Sequence, residues 1–390
     1  MLRIWTVDAF THKPFAGNPA SVCILTHYDE ALCVKIAREM NHAETAFLVP
    51  KIVTSGQLRQ DSQRTNEWYI RYWSPRGSEV NYVGHATLAS AHVLFSQGFA
   101  ADVNDGLLFR TKSSGNFQVF RNIKSEKVTP QNADLNPPFD YIMDFPAVYY
   151  QSISDESKKI NTIKSLEKAL NLKQEPTKEH ISIQNIVTAG EDLLVELNVK
   201  SCLEDMKSVK PDISIMKQNE LLKTYRCIAI TSKNSNKNGK TSFDIVSRVF
   251  GPKIGIDEDA VSGKIHCCLG IYWGSRLGTA QAPKSWIHAY QASNRGGELY
   301  VKLDEKKNRV LLNGSAVTMM QCDLLVQNVF FFCNEAHFSQ VFFSKKKIQF
   351  LKMYKCIIKF FIFKTIWSAK DQKNQKKKVC KLILFFFGIV

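Results

Sequence analysis

With 390 residues, 44% of them hydrophobic, the chain has ample apolar content for two domains of ordinary size. The formal net charge of +16 invites a nucleic-acid partner, but from Asn328 onward thirteen Lys face only Glu335 and Asp371, a net of +11 that leaves about +5 for the preceding 327 residues. Without that tail the chain reads as a mildly basic globular protein, and nucleic-acid binding is not expected of it.

Arg3 to Thr11 alternates large apolar and polar residues, the period of a half-buried strand. Phe15-Ala16-Gly17-Asn18-Pro19-Ala20 reads as a compact turn and Val22 to Leu25 as a second strand. A helix over Asp29 to Met40 follows, with Leu32, Ile36 and Met40 on one face. Next comes Asn41-His42-Ala43-Glu44-Thr45-Ala46-Phe47, where Glu44 stands between that helix and the apolar strand Thr45 to Val49. Its neighbours in sequence are small or uncharged, with no fixed cation, which favours a raised pKa of the kind a proton-transferring group needs near neutral pH. The bland alternative is a solvated loop acid.

After a polar loop at 57–66, Glu67 to Ser74 reads as a strand ending in the turn Ser74-Pro75-Arg76-Gly77. From Gly84 through His85 to Ser96 no charged residue occurs, so a helix buried on nearly all sides is expected. Its Gly-His start leaves backbone N–H groups for a carboxylate or an enolate-like oxygen. Strands are expected at Leu107 to Arg110, Phe117 to Arg121 and Tyr141 to Phe145, with 129–139 as the crossing between domains. An amphipathic helix is expected over Ile163 to Leu172, strands at Ile186 to Ala189, Leu193 to Leu197 and Cys227 to Thr231, and a solvated turn at 233–240. Phe243 to Phe250 then leads into Gly255-Ile256-Asp257-Glu258-Asp259, and a second small-residue, apolar helix runs from Gly263 to about Trp273.

The two buried helices look like one device used twice: each follows a strand, starts at Gly and points its N-terminus at one cleft. Glu44 stands on one side of that cleft and Asp259 on the other, a pairing suited to removing a proton at one position and returning it at another. The bland reading is two buried helices of a repeated fold with no chemistry.

FAGNPASV (15–22), HAETAF (42–47), GHATLA (84–89), GIDEDAVSGKIHCCLGIYW (255–273) and QASNRGGELYV (291–301) together resemble the phenazine biosynthesis PhzF-like family, in its order and at about its spacing from Leu2 to about Val326. The resemblance implies an α+β fold of the diaminopimelate-epimerase type, two pseudo-symmetric domains each with a curved sheet wrapped around a central helix. On that expectation residues 1–125 form the first domain, completed by a returning strand near 314–327, and residues 126–313 the second. It implies a cofactor-independent isomerase acting on a small acidic metabolite. Glu44, with Asp259 and His85, would carry the chemistry; Asn18, Gly84, Ser262, Gly263 and Lys264 would bind substrate. No metal is implied, and a homodimer is plausible.

Val83 and Ser262 stand where the related two-cysteine racemases carry their thiols, which disfavours that chemistry. Lys264 replaces a small hydroxyl residue of the family pattern. Its ammonium would clamp a substrate carboxylate, lower the pKa of Glu44 and blunt it as a base, or point to solvent. A fold that has lost activity and serves as a binding or scaffold protein is the competing reading, and Lys264 is its main argument. His85 has a packing role as its alternative, and Arg295 is either an anion ligand or a surface turn residue.

The ten cysteines show no C-x-x-C pair and no zinc-like His spacing, so they read as reduced and mostly packed. The N-terminus lacks the layout of a signal peptide, and no apolar run approaches the roughly 18 residues that span a bilayer. A cytoplasmic protein without membrane contact is expected. The tail from 328 to 390 alternates aromatic clusters with Lys runs outside the family pattern. It reads either as a basic amphipathic surface or as a low-complexity extension outside the fold. The second is preferred, because its Lys residues keep no helical face.

Overall fold

Alternating apolar side chains at the N-terminus form β1 (Leu2–Ala9), which lies between β2 (Asn18–Ile24) and the last strand of the fold. β2 starts earlier than the sequence suggests. Phe15 and Gly17 take positive φ (64° and 65°) and complete the turn by themselves, so Asn18 is already extended and pairs with Ala9. Helix α1 (Glu30–Met40) is capped by Asp29, whose carboxylate accepts from Leu32 N–H at 3.1 Å, and it ends at Asn41 in the left-handed region. The chain then enters β3 (Glu44–Pro50), so Glu44 is the first residue of a strand and not a loop acid. β4 (Glu67–Trp73) and the short β5 (Glu79–Val80) lead to α2 (Gly84–Ser96), of whose thirteen residues all but His92 and Ser96 are buried, as the absence of charge requires.

β6 (Leu107–Arg110), β7 (Asn116–Arg121), β8 (Tyr141–Pro146) and β9 (Gln151–Ser152) precede α3 (Glu156–Ala169). This helix begins well before the apolar spacing shows it, because Asp155 caps it through Lys158 N–H at 2.9 Å and its first turns are solvated. β10 (Ser182–Ala189) and β11 (Asp192–Asn198) follow, then two short helices that sequence periodicity misses, α4 (Cys202–Ser208) and α5 (Ile213–Gln218). The chain closes with β12 (Ile228–Lys233), β13 (Ile245–Gly251), β14 (Ile256–Asp259), α6 (Gly263–Leu277), β15 (Ile287–Gln291), β16 (Gly297–Asp304), β17 (Arg309–Gly314) and β18 (Ala316–Leu324).

The computed structural model describes residues 2–51, 65–100, 104–122, 140–172, 181–200, 202–234, 243–278 and 286–325, all within the unit Met1–Val326. The expected loop at 57–66, crossing at 129–139, turn at 233–240 and tail from 328 lie wholly or largely outside these residues. The fold is mixed α+β with one large sheet and few helices. From β1 through β2, β3, β4, β6, β7 and β8 the pairings run antiparallel, parallel, antiparallel, parallel, antiparallel, antiparallel. From β10 through β11, β12, β13, β15, β16 and β17 the same series recurs. β8 pairs with β17, joining the two runs.

Helix α2 packs on β1, β2, β3, β8 and β18, and α6 on β15, β16 and β17, with both helices in one continuous apolar core. Gly270 lets α6 approach its sheet closely, since a Cβ there would run into Val301 of β16. The seven described cysteines are free thiols, all buried except the partly covered Cys322. Among the described residues no helix is long and apolar enough to cross a membrane.

Candidate active site

Helices α2 and α6 start against each other. A Cβ placed on Gly84 would stand 3.1 Å from Gly263 Cα, and one on Gly263 3.2 Å from Gly84 Cα, so a side chain at either position would press the facing backbone back. Val83 and Ser262 precede the two helices in extended conformation, and neither side chain caps the N–H groups of the turn that follows. Two helix ends with uncapped donors therefore converge on one point, where the helix dipoles favour negative charge.

Around this point lies a cavity of about 780 Å3. Glu44, His85, Gly84, Asp259, Ser262, Gly263 and Lys264 all line it. Asn18 does not. It is 1% exposed and stands behind Asp259, donating from Nδ2 to Asp259 Oδ1 at 2.8 Å and to the Val261 carbonyl at 2.9 Å. Its amide nitrogen is spent on holding Asp259 and the Val261 carbonyl.

Glu44 is 9% exposed, and its pKa is lifted from 4.5 to about 8, first by burial and then by the Asp259 charge, with Arg226 pulling it down. The cation acting on Glu44 is thus Arg226, which has no trace in the local sequence. Asp259 keeps some surface open to the cavity while protein surrounds it on its other sides. Burial raises its pKa against the lowering effects of Asn18, Ser262 and Arg226.

His85 Nε2 lies 3.3 Å from Glu44 Oε2, within ion-pair distance, but the contact lacks the alignment of a hydrogen bond and Nε2 has no other partner. Burial pushes the His85 pKa down to about 3, so the ring is neutral at ordinary pH. The start of α6 is fixed from behind. Ser262 N–H donates to Gln291 Oε1 at 2.9 Å, Gln291 Nε2 donates to the Asp259 carbonyl at 2.6 Å, and His266 Nδ1 lies 2.7 Å from the Ser262 carbonyl.

Lys264 Nζ lies 3.8 Å from Asp192 Oδ2, and its side chain is 32% exposed at the cavity wall. Arg226, Tyr82 and His42 also belong to that lining and were not among the site residues expected from the sequence. Arg226 is legible only through Asp192, 34 residues earlier on the neighbouring strand, to which its Nη2 donates at 2.6 Å. Arg295 is neither an anion ligand nor a loose turn residue. It donates to Asp8 Oδ1 at 2.7 Å, to the Gly17 carbonyl at 2.8 Å and to the Ala16 carbonyl at 3.0 Å, tying the turn before β16 to the turn before β2.

The α+β fold is shared with solved proteins of the phenazine-biosynthesis type. A PhzF-family phenazine biosynthesis protein of Enterococcus faecalis superposes with a TM-score of 0.61 at 31% identity, covering 82% of this chain and 97% of that one. A Pseudomonas aeruginosa protein described as a predicted epimerase shares the fold at a TM-score of 0.56 and 15% identity, over 84% of this chain and all of that one. The chain belongs to the phenazine biosynthesis-like protein family, whose sequence profile matches residues 7–322. An uncharacterized isomerase of Halalkalibacterium halodurans is 33% identical over 326 residues, 83% of this chain and 98% of that protein.

Proposed function

We propose that this chain is an isomerase that moves a proton on a small carboxylic acid without a cofactor, with Glu44 as the proton carrier. The reading rests on one observation: a buried carboxyl group with a pKa of about 8 lines the same cavity as two converging, uncapped helix N-termini. The isomerase name of the H. halodurans relative supports it. The repeated pairing series supports two pseudo-symmetric halves, each wrapped on its own helix, α2 or α6. In this reading residues 1–125 with β18 form one half, residues 126–313 the other, and the cavity is the cleft between them.

The ionised form of Glu44 removes a proton from the substrate carbon next to an acid or carbonyl group. The electron pair moves onto that group's oxygen, where the N–H donors of the α2 and α6 starts accept the new negative charge. Glu44, now protonated, returns the proton to the far end of the conjugated system or to the other face. Asp259, held by Asn18, raises the proton affinity of Glu44 and strengthens it as a base. Neutral His85, 3.3 Å from Glu44 Oε2, closes that side of the carboxyl group.

Deuterium wash-in from heavy water across a panel of small acids tests this. The wild-type chain should exchange at least one acid, and Glu44→Gln should abolish exchange while the fold is kept. Full exchange in that variant would sink Glu44 as the carrier, and no exchange with any acid would favour a binding or scaffold role.

A further inference from the structure

One wall of the cavity presents more hydrogen-bond donors than the described residues satisfy. Arg226 donates from Nη2 to Asp192 Oδ2, but its buried Nε has no acceptor. The Tyr82 hydroxyl, on the same lining, is buried without a hydrogen-bond partner. Lys264 Nζ, at 3.8 Å from Asp192 Oδ2, is too far for a hydrogen bond. Asp192 is 1% exposed, and its Oδ1 meets no donor, so a single carboxylate oxygen serves two cations. Arg226 and Lys264 each keep part of their side chains exposed on the cavity lining, where a single oxygen of Asp192 lies between the two cations. Buried polar groups are seldom left unpaired, and a ligand acid reaching the exposed parts of the two cationic side chains would supply a second acceptor for the pair.

We propose that Arg226, Lys264 and Tyr82 form a subsite for a second acidic group, so that the substrate is a small dicarboxylic acid. This rests on the isomerase reading of the same cavity. One carboxylate sits at the starts of α2 and α6, next to Glu44. The other meets the guanidinium, whose planar fork suits a carboxylate, and the ammonium and phenol beside it. Lys264 directly follows Gly263, so the two subsites adjoin and the acid is compact. Holding the remote carboxylate supplies binding energy away from the reacting carbon, which orients the C–H bond towards Glu44. Burial and the nearby Arg226 charge make the Lys264 ammonium harder to keep, and an arriving anion reverses that cost.

Isothermal titration of the full chain with succinate and butyrate, four-carbon acids differing in one carboxylate, tests the subsite. Succinate should bind about tenfold more tightly, the worth of one charge-assisted hydrogen bond. Lys264→Ser and Arg226→Lys should each weaken succinate binding more than butyrate binding and so narrow the gap between the two acids; Tyr82→Phe is a third, conservative probe. Equal affinity for the two acids in the wild-type chain, binding of neither, or an undiminished preference in all three variants overturns the proposal. Glu44→Gln keeps the succinate preference if the subsite is right. An unchanged deuterium exchange in that variant therefore counts against the proton carrier alone, whereas parity of the two acids alongside normal exchange counts against the subsite alone.

Discussion

Replacing Glu44 by Gln should stabilise the protein, and by more as the pH rises. The folded-state pKa of about 8 lies well above the 4.5 of an unperturbed glutamate. Between those two values the folded protein keeps a proton that the unfolded chain has released, so wild-type stability falls as pH climbs through this window. At about 1.4 kcal/mol per unit of pKa difference, the cost is about 3 kcal/mol at pH 7 and levels off near 5 kcal/mol above the folded pKa. An amide of the same shape has no proton to lose and escapes that cost. Urea unfolding followed by tryptophan fluorescence, from about pH 5 to about pH 9, measures the difference between variant and wild type. It should widen steadily to about pH 8 and then stay flat. Because Asp259 raises the Glu44 pKa, the midpoint of the curve belongs to the pair. A stability difference that does not change with pH would refute the reasoning, since the buried carboxyl would then have no raised pKa.

Gly84→Ala should cost about 1–3 kcal/mol and lower deuterium exchange, because the added Cβ meets Gly263 Cα at 3.1 Å, where no flexible side chain can give way; thermal unfolding and the exchange assay check the two effects. Arg295→Met strips buried Asp8 of its ion pair and should cost about 1–3 kcal/mol, since the guanidinium is partly exposed and Phe15 N–H still serves the carboxylate. Adding Asp8→Asn should recover much of that loss in the same unfolding assay, because no unpaired charge is then buried.

Features set by residues close in sequence were legible without the structure. Helix α2 was visible down to its ends, because a charge-free run of small residues after Gly84 has one stable arrangement, burial on all sides. Glu44 reads from the sequence as a candidate proton carrier just ahead of its strand; pairing with Ala20 of β2 makes it the first residue of that strand. α4 and α5 are too short for their periodicity to register, and the solvated first turns of α3 hide a start that only Asp155 marks. The Arg226, Asp192 and Lys264 cluster was out of reach, since parallel pairing of β11 with β12 brings the first two together and nothing in either segment announces the other. The bond from Asn18 to Asp259 is not legible either, because the two lie 241 positions apart.

The contact between Gly84 and Gly263 also bears on what the molecule does with an empty site. Each helix start carries about half a positive charge, and here two such ends face each other at backbone contact. Without an anion they repel, and the repulsion works against the packing that holds α2 to α6. An anion at that point is attracted to both ends and removes the repulsion as well. Ligand binding therefore stabilises the whole fold by more than the contacts of the ligand alone supply, and a small anion should raise the melting temperature before any turnover is detected.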